Sequence, residues 1–441
     1  MDLIVPLSVQ EAADAGRFGP KAANLAALCH AGLPVPPGFC VDAEAYRRQV
    51  AALGLQETAR GAFTAQGPAA RHHALDMKLA LLDQPIAPAV LAPLLAAWRT
   101  VMAPPDTLGV VRSSALVEDR FGSSFAGQFE SYLGLDGEAD FQTAVRACWA
   151  ALWSTRALRY MATHDLDPAD TAMAVLLQPL VRAVAAGGGL SRTADGEMLV
   201  NAAWGLGSTV AQGEVTPDRI VFSRAGEVLA IDVGRNEHRQ DCVHGHGAAG
   251  RTMPGALAGE PCLNEAQAAE LGRLLRQTEN VIGMPVEIEW ALDDAGFKLL
   301  QARPLQVGAT VVPDDVWLKH PQLHGNPAGI GWGTGRACVV TCECELTRVG
   351  PGDVLVTKIA SPALSHVLPL VGGVVAELGG STSHLASLAR ERGIPMVLGV
   401  FDATRRIPDG AMVAVDGVAG VVRWMHRSES SFAGLQAGNV G

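Results

Sequence analysis

The chain has 441 residues, 49% of them hydrophobic, and a formal net charge of −11 at pH 7. This length is enough for two or three domains, and the hydrophobic content can supply a core for each. The negative charge, together with the absence of a lysine- and arginine-rich block, excludes an extended surface for polyanions. We therefore expect neither nucleic acid nor an anionic membrane as a partner.

The cysteines and the first residues bear on metal binding and location. The eight cysteines form no paired framework. Cys338, Cys342 and Cys344 lie close together, but no fourth ligand follows at the spacing of a zinc finger, so structural cysteines are favoured over a metal site. The N-terminus shows no basic segment before a long apolar core, and no charge-free apolar run reaches membrane-spanning length. We expect a cytoplasmic protein.

The first informative segment surrounds Lys21. Gly19 and Pro20 place a proline at the first position of a helix, and Gly32 stands where that helix ends. Lys21 lies in the first turn, where the helix dipole disfavours a positive charge, so we expect an anionic partner for it. A solvated surface lysine is the alternative that the residues alone leave open.

A strand and a loop of small residues follow. Residues 41–105 resemble alanine-rich helices without candidate functional groups. An apolar strand then carries Arg112 at its polar end, and the loop 122–128 is rich in glycine and serine. Such a loop lets backbone N–H groups approach phosphates, and an arginine adds a forked charged contact. An amphipathic helix is predicted over 141–164, and a buried strand over 174–181.

The sequence Glu-Ile-Glu-Trp begins a predicted β-hairpin. Apolar residues alternate with Glu287 and Glu289, and the turn ends at Gly296, which suits a positive φ. The resulting register places Glu289 opposite Gln301 and Glu287 opposite Arg303. One face then gathers two carboxylates, an amide oxygen and a guanidinium, a set that suits Mg²⁺ and phosphate. For the hairpin motif by itself, a solvated polar face is the favoured interpretation.

A histidine at the start of a helix follows farther on. From Leu305 to about Asn326 the pattern loses its periodicity, and about twenty flexible residues have a reach of roughly 25 Å. After the apolar run 373–378, a glycine turn with three hydroxyl residues precedes His384, and Gly393 ends the helix. A helix N-terminus favours an anion and disfavours imidazolium, so this histidine is suited to carry a phosphate. A helix cap beside an incidental histidine is equally compatible with the spacing.

Several strings carry a resemblance to a known family. Gly-Gly-Ser-Thr-Ser-His-Leu-Ala…Ala-Arg-Glu-Arg-Gly-Ile-Pro resembles the phosphohistidine signature of phosphoenolpyruvate synthase, pyruvate phosphate dikinase and rifampin phosphotransferase. The strings Gly-Pro-Lys-Ala-Ala-Asn-Leu, Val-Val-Arg-Ser-Ser-Ala and Glu-Ile-Glu-Trp…Leu-Gln-Ala-Arg-Pro resemble the ATP-grasp nucleotide-binding domain of the same enzymes. The resemblance implies that His384 is the phosphorylated nucleophile. It also implies that Mg²⁺ is bound by Glu289 and Gln301, and ATP by Lys21, Arg112, Ser124, Ala126, Gly127, Gln128, Gln178 and Arg303.

Two segments depart from the family pattern. Gly188-Gly189-Leu190-Ser191 stands where the family usually continues with Gly-Val-x-Phe-Thr, and Ser208 stands where a glutamate is usual. These departures concern the contacts of the nucleotide's ribose and the mobility of the subdomain, whereas the fold is expected to be the same.

The resemblance implies an α+β multidomain fold. We expect an ATP-grasp domain over 1–305, a linker over 306–328, a small swivelling β/β/α phosphohistidine domain over 329–424 and a tail over 425–441. By resemblance, His384 attacks the β-phosphorus of MgATP, AMP is released, and the phosphoryl group passes to a small alcohol, phenol or enol.

No segment of the sequence resembles the family's acceptor domain. We therefore expect that the acceptor is bound between the two domains or by a separate subunit, as in phenylphosphate synthase. The alternative function is a phosphocarrier or regulatory module without a small-molecule acceptor. Steady turnover of ATP to AMP with an acceptor would favour the enzyme, and self-labelling that stops would favour the carrier.

Overall fold

The protein has an α+β fold with several sheets, as predicted. The structure is a computed structural model. It describes residues 2–64, 67–118, 129, 131–163, 166–167, 169–234, 238–243, 247–252, 259–307 and 317–425.

The N-terminal part of the chain forms an antiparallel sheet covered by helices. The strands are β1 (Ile4–Pro6), β2 (Phe39–Val41), β3 (Gly109–Ala115), β4 (Ser131–Leu135) and β5 (Met173–Pro179), in the order β1-β2-β5-β3-β4. The side chains of Trp98 and Phe141 stack in the core that the sheet shares with its helices. The helices are α1 (Ala15–His30), α2 (Ala43–Ala52), α3 (Gln56–Thr64), α4 (Pro68–Asp83), α5 (Pro88–Val101), α6 (Glu138–Ala151) and α7 (Thr155–Thr163), and a 3₁₀ turn covers Gln10–Ala13.

Helix α1 is broken at Gly19, whose φ of 74° and ψ of 154° lie outside the helical region. The regular helix restarts at Pro20, as predicted from the proline. An added Cβ at Gly19 would lie 2.4 Å from the carbonyl oxygen of Ser114 on β3. The break therefore lets the first turn of the restarted helix, which carries Lys21, lie directly against β3.

The next part of the chain forms a second antiparallel sheet. Its strands are β6 (Ala185–Leu190), β7 (Met198–Trp204), β8 (Asp218–Phe222), β9 (Val228–Asp232), β12 (Val286–Asp293) and β13 (Gly296–Pro304), in the order β13-β12-β6-β7-β8-β9. A separate ribbon pairs β10 (His238–Val243) with β11 (Gly247–Thr252). The helices are α8 (Ser208–Gln212) and α9 (Glu265–Ile282). Helix α9 packs against β12 and β9.

The hairpin β12–β13 has the predicted pairing at the end away from its turn. Glu287 pairs with Arg303 and Glu289 with Gln301, which confirms that part of the register. Beyond Glu289 the pairing shifts by one residue, so the predicted register is wrong near the turn. Leu300 is the extra residue of this bulge, which alternation of apolar residues cannot reveal.

The last part of the chain forms an eight-stranded mixed sheet, in the order β14-β21-β20-β16-β17-β18-β19-β15. Strands β16 to β19 are parallel to one another and the remaining pairs are antiparallel. The strands are β14 (Gln322–His324), β15 (Asn326–Pro327), β16 (Trp332–Val340), β17 (Val354–Thr357), β18 (Gly373–Ala376), β19 (Met396–Leu398), β20 (Met412–Asp416) and β21 (Val421–Met425). The helices are α10 (His384–Glu391) and α11 (Ala403–Arg406), with 3₁₀ turns at Trp317–Lys319, Glu343–Arg348, Pro362–His366 and Leu368–Leu370.

Helix α10 has the predicted bounds. It begins at His384, and the Ser383 hydroxyl accepts a hydrogen bond from the amide of Ala386 as the N-cap. The chain leaves the helix through Gly393, whose φ is 68°. The glycine turn, the cap and the terminating glycine were each visible in the sequence, which is why this prediction is confirmed.

Three predictions of local structure differ from the structure. The helix expected over 141–164 is two helices, because the Ser154 hydroxyl accepts from the amide of Ala157 and starts a new one. Arg112 lies in the middle of β3 rather than at its end, since the small residues after it continue the strand. Residues 322–327 of the expected linker include β14 and β15, which are too short for periodicity to reveal.

Two further features concern cysteines and membranes. Cys342 and Cys344 form a disulfide. Within the described ranges, no group of three or more His, Cys, Asp or Glu side chains could hold a metal ion. None of the described helices alone has the length and apolar character to cross a membrane; one pair, α4 with α5, bent by 56°, meets those criteria jointly.

The break at Gly19 predicts a stability defect. We expect Gly19→Ala to lower the free energy of unfolding by roughly 1–3 kcal/mol, because only glycine adopts this backbone conformation without strain and the added Cβ meets Ser114. Gly137→Ala is the matched control, because an added Cβ there meets nothing within 4 Å. Urea unfolding followed by tryptophan fluorescence measures both variants. Equal stability of the two would contradict the assigned conformation at Gly19.

Candidate active site

A cavity of about 480 Å³ lies between the two antiparallel sheets and the start of α10. Most of the residues proposed from the sequence as functional line it. The side chains of Ser124, Ala126, Gly127 and Gln128 lie outside the described residues. Those that line the cavity are Lys21, Arg112, Gln178, Glu289, Gln301, Arg303 and His384.

Lys21 is buried and paired. Its Nζ lies 2.6 Å from Oε1 of Glu118 and donates to the carbonyl of Ser113 at 2.9 Å. The expected anionic partner is therefore Glu118, which is 97 residues away in the chain. Lys21 and Glu118 are 5% and 4% exposed, so a cation is held at the cavity wall with its charge balanced by one carboxylate.

Arg112 reaches from the first sheet to the hairpin of the second. Its Nη2 donates to Oε1 of Gln301 at 2.8 Å and to Oε2 of Glu289 at 3.1 Å. Its Nη1 donates to the carbonyl of Leu300, the extra residue of the bulge. The bulge thus supplies a carbonyl acceptor that holds the guanidinium over the hairpin face.

Glu289 and Gln301 present the oxygen ligands that suit Mg²⁺. Partial burial raises the pKa of Glu289, but Arg112 and its neighbours outweigh this and hold the pKa below its usual value, so the side chain is a carboxylate at neutral pH. In this structure the two oxygens already share one cationic group, the Arg112 guanidinium. They would hold Mg²⁺ if Arg112 turned aside, with phosphate and water oxygens completing its coordination.

The cavity also has an apolar lining beside Gln178. Gln178 is 3% exposed, and its amide donates to the carbonyl of Pro36 at 2.8 Å. The carboxamide is therefore fixed against the segment that precedes β2. An apolar slot with a few fixed polar groups suits a planar heterocycle. The apolar lining is formed by Val110, Leu180, Val181, Ala183 and Ala186.

The loop before α10 approaches the second sheet closely. Glu289 pairs across to Gly188 on β6, and an added Cβ at Gly188 would lie 2.5 Å from Cβ of Thr382. The Thr382 hydroxyl also donates to Oδ1 of Asn201 at 3.3 Å. The glycine run that departs from the family pattern thus makes room for the loop that carries His384.

His384 is half-buried and neutral at pH 7. Loss of solvent lowers the pKa of His384 to about 4; Glu289 acts against this change, and Arg303 adds to it. A neutral imidazole keeps one ring nitrogen with a free lone pair, which is the form that attacks phosphorus.

Arg303 links the hairpin to α10. Its Nη2 lies 3.2 Å from Oε1 of Glu287 and donates to the hydroxyl of Ser387 at 2.7 Å. The predicted pairing of Glu287 with Arg303 is thus a buried ion pair. Arg303 also borders the cavity, so the same side chain contacts α10 and lines the candidate phosphate site.

The sequence analysis did not assign roles to several residues of the site. Glu118 is one of them, although a carboxylate next to a buried strand is a candidate partner for a buried lysine. Arg156 lines the cavity from α7, because the unpredicted break before α7 brings it there. Ser387 and Arg390 were treated as ordinary helix residues, and nothing in their spacing indicated a partner in another sheet.

Comparison with known proteins assigns the family. Residues 15–316 match the model of the pyruvate phosphate dikinase AMP/ATP-binding domain, and residues 349–420 match the mobile domain of PEP-utilising enzymes. Phosphoenolpyruvate synthase of Aeropyrum pernix is 33% identical over an alignment 461 residues long, which covers 92% of this chain and 56% of that protein. A probable phosphoenolpyruvate synthase of Methanothermobacter thermautotrophicus is 30% identical, covering 93% and 61%.

The chain spans little more than half the length of these relatives. Members of the family are ATP-dependent, kinase-type enzymes that use Mg²⁺ and a phosphohistidine intermediate. Both matched segments follow one another in the family's order. The chain therefore belongs to the phosphoenolpyruvate synthase and pyruvate phosphate dikinase family.

Proposed function

We propose that this chain phosphorylates its own His384 from MgATP, forms AMP, and passes the phosphoryl group to a small alcohol, phenol or enol. The observation that carries the proposal is that His384 lines the same cavity as Lys21, Arg112, Glu289, Gln301 and Arg303. Cationic, oxygen-rich and nucleophilic groups thus border one space of about 480 Å³. That combination suits phosphoryl transfer, which depends on positioning and charge stabilisation.

The nucleotide lies along the cavity in this proposal. Adenine lies against the apolar lining beside Gln178, and the phosphates extend toward Lys21, Arg112 and Arg303. Mg²⁺ bound by Glu289 and Gln301 would neutralise charge on the phosphate oxygens. Ser124, Ala126, Gly127 and Gln128 are assigned to the phosphates by the family resemblance.

Phosphorylation of His384 needs MgATP and, for removal of the γ-phosphoryl group, water or inorganic phosphate. The free lone pair of His384 forms a bond to the β-phosphorus, and the bond from that phosphorus to the α,β-bridging oxygen breaks and releases AMP. The proton on the other ring nitrogen is lost to solvent. Water or inorganic phosphate then takes the γ-phosphoryl group, so the β-phosphoryl group remains on the histidine.

The acceptor binds elsewhere in this proposal. While α10 contacts the hairpin, His384 faces the cavity that the nucleotide fills, so the phosphohistidine meets its acceptor only after the two have separated. We assign the acceptor to a site that the nucleotide does not fill, either between the two domains or on a separate acceptor-binding subunit. The phosphoenolpyruvate synthases among the relatives make an enol one of the acceptor classes to test.

The first prediction concerns the labelled residue. ATP labelled at the β-phosphate should give an acid-labile, base-stable label on the wild-type chain, and His384→Ala should remove it while nucleotide binding remains. Mass spectrometry of the labelled peptides identifies the residue. His366→Ala is the matched control, because His366 lies exposed on the 3₁₀ turn Pro362–His366 and should not affect the label. Label that persists in His384→Ala would refute the proposal.

The second prediction concerns the metal ligands. Glu289→Gln should slow Mg²⁺-dependent labelling by at least about tenfold, or about 1.4 kcal/mol, because one anionic contact to the metal is lost from the transition state. Asp293→Asn on the same strand is the control; its carboxylate accepts from the amide of Ala295 in the turn and should not matter. A normal rate and Mg²⁺ dependence in Glu289→Gln would make the hairpin face purely structural.

The third prediction concerns the protonation of His384. In the nucleotide-free protein its imidazole should half-titrate near pH 4, whereas the unfolded chain should titrate it near pH 6.5. Its ¹³Cε1–¹H resonance, assigned by its absence from His384→Gln, gives the midpoint by NMR. Because the folded-state pKa is the lower of the two, the ring stays neutral as the pH falls from 7 to about 5. A midpoint near 6.5 in the folded protein would exclude the burial that we assign to it.

A further inference from the structure

Four buried side chains join α10 to the hairpin β12–β13. Two of them belong to the hairpin and two to the helix that begins at His384. Each is only 5–6% exposed. The four are Glu287, Arg303, Ser387 and Arg390, and we call them the docking cluster.

Ser387 is the central member of this cluster. Its hydroxyl lies 2.9 Å from each carboxylate oxygen of Glu287 and 3.2 Å from the carbonyl oxygen of Ser383, so the nearer and charged carboxylate takes its single proton. The same oxygen accepts from Arg303 at 2.7 Å and from Arg390 at 3.1 Å. One donated and two accepted bonds use the full capacity of a hydroxyl.

Glu287 balances two arginines at once. Arg303 lies 3.2 Å from one of its oxygens and Arg390 lies 3.0 Å from the other. Burial raises the pKa of Glu287, but the two guanidinium groups more than offset this and hold it below its usual value. The carboxylate is therefore charged at neutral pH and is the common partner of all three other members.

The cluster can separate without leaving an unpaired charge in the hairpin. Glu287 and Arg303 face each other on adjacent strands and remain paired when α10 leaves. Arg390 also donates to the carbonyls of Ser381 and Ala328, which belong to its own part of the chain. Within the cluster, undocking breaks the bonds that Ser387 makes with Glu287 and Arg303 and the ion pair of Arg390 with Glu287, whereas the hairpin keeps its own ion pair.

The cluster also determines where His384 lies. Ser387 is one helical turn after His384, and Glu287 is two residues before Glu289 on the same face of β12. Fixing Ser387 on Glu287 therefore fixes His384 near Glu289. We propose that Ser387 is a positioning residue, which docks α10 on Glu287 so that His384 faces the nucleotide site.

The docking part of this inference depends on the structure alone, whereas its effect on labelling rests on the proposed function. A docking readout that needs no phosphoryl transfer is available. The amide of Gly379, in the loop before α10, donates to the carbonyl of Val215 at 3.0 Å, in the segment between α8 and β8. This hydrogen bond breaks when α10 undocks, so hydrogen exchange at Gly379 reports docking directly.

The experiment compares the full-length chain with Ser387→Ala. We expect exchange at Gly379 to become about tenfold faster, measured by mass spectrometry of overlapping peptides. Single-turnover labelling from β-labelled ATP should slow about tenfold at saturating ATP, while half-saturation by ATP stays unchanged. In a Glu287→Gln background, Ser387→Ala should slow single-turnover labelling by less than about twofold, because both residues act through one contact.

Ser361→Ala is the matched control. The Ser361 hydroxyl donates to Oε1 of Glu343 at 2.9 Å, a serine–glutamate contact that does not join α10 to the hairpin, so this variant should exchange and label like wild type. Wild-type exchange and labelling in Ser387→Ala would overturn the proposal, as would full additivity with Glu287→Gln. If no chain is labelled but exchange in Ser387→Ala is faster, the proposed function fails and the docking role stands.

Discussion

The pairing of β12 with β13 is the constraint on which the rest of the site depends. One register puts Glu287 opposite Arg303 and Glu289 opposite Gln301, and both pairs lie on one face because side chains two residues apart share a face. The first pair holds α10, and the second holds the Arg112 guanidinium. A slip of one strand by one residue would move its two side chains to the opposite face and separate both pairs.

The charges of the site are wholly or partly buried, and they are paired between parts of the chain that are distant in sequence. Lys21 pairs with Glu118, Arg112 with Glu289, and Arg390 with Glu287. Removing one partner of such a pair leaves an uncompensated buried charge, which is costly. The arrangement therefore keeps cations at the cavity while nucleotide is absent. The same burial holds His384 neutral.

The sequence was informative where a local signal fixed the geometry. Alternation and a turn glycine predicted the Glu289–Gln301 pairing, and a glycine turn with a cap predicted the start of α10 at His384. The bulge at Leu300 is held by a tertiary contact with Arg112, and the break before α7 is set by one serine cap; neither changes the spacing of apolar residues, so periodicity missed both. The docking of Ser387 on Glu287 could not be predicted, because the two residues are 100 positions apart and neither has an unusual neighbourhood in the sequence.

The central claim is that one face of the hairpin presents MgATP to His384 while α10 is docked. The most direct test is a crystal structure of the chain with Mg²⁺ and a non-hydrolysable ATP analogue. The account predicts a metal ion bound to the carboxylate of Glu289 and the amide oxygen of Gln301, with Arg112 turned onto a phosphate. It also predicts a ring nitrogen of His384 within about 3.5 Å of the β-phosphorus, the separation of a near-attack geometry. Phosphates bound away from this face, or a His384 ring directed out of the cavity, would contradict it.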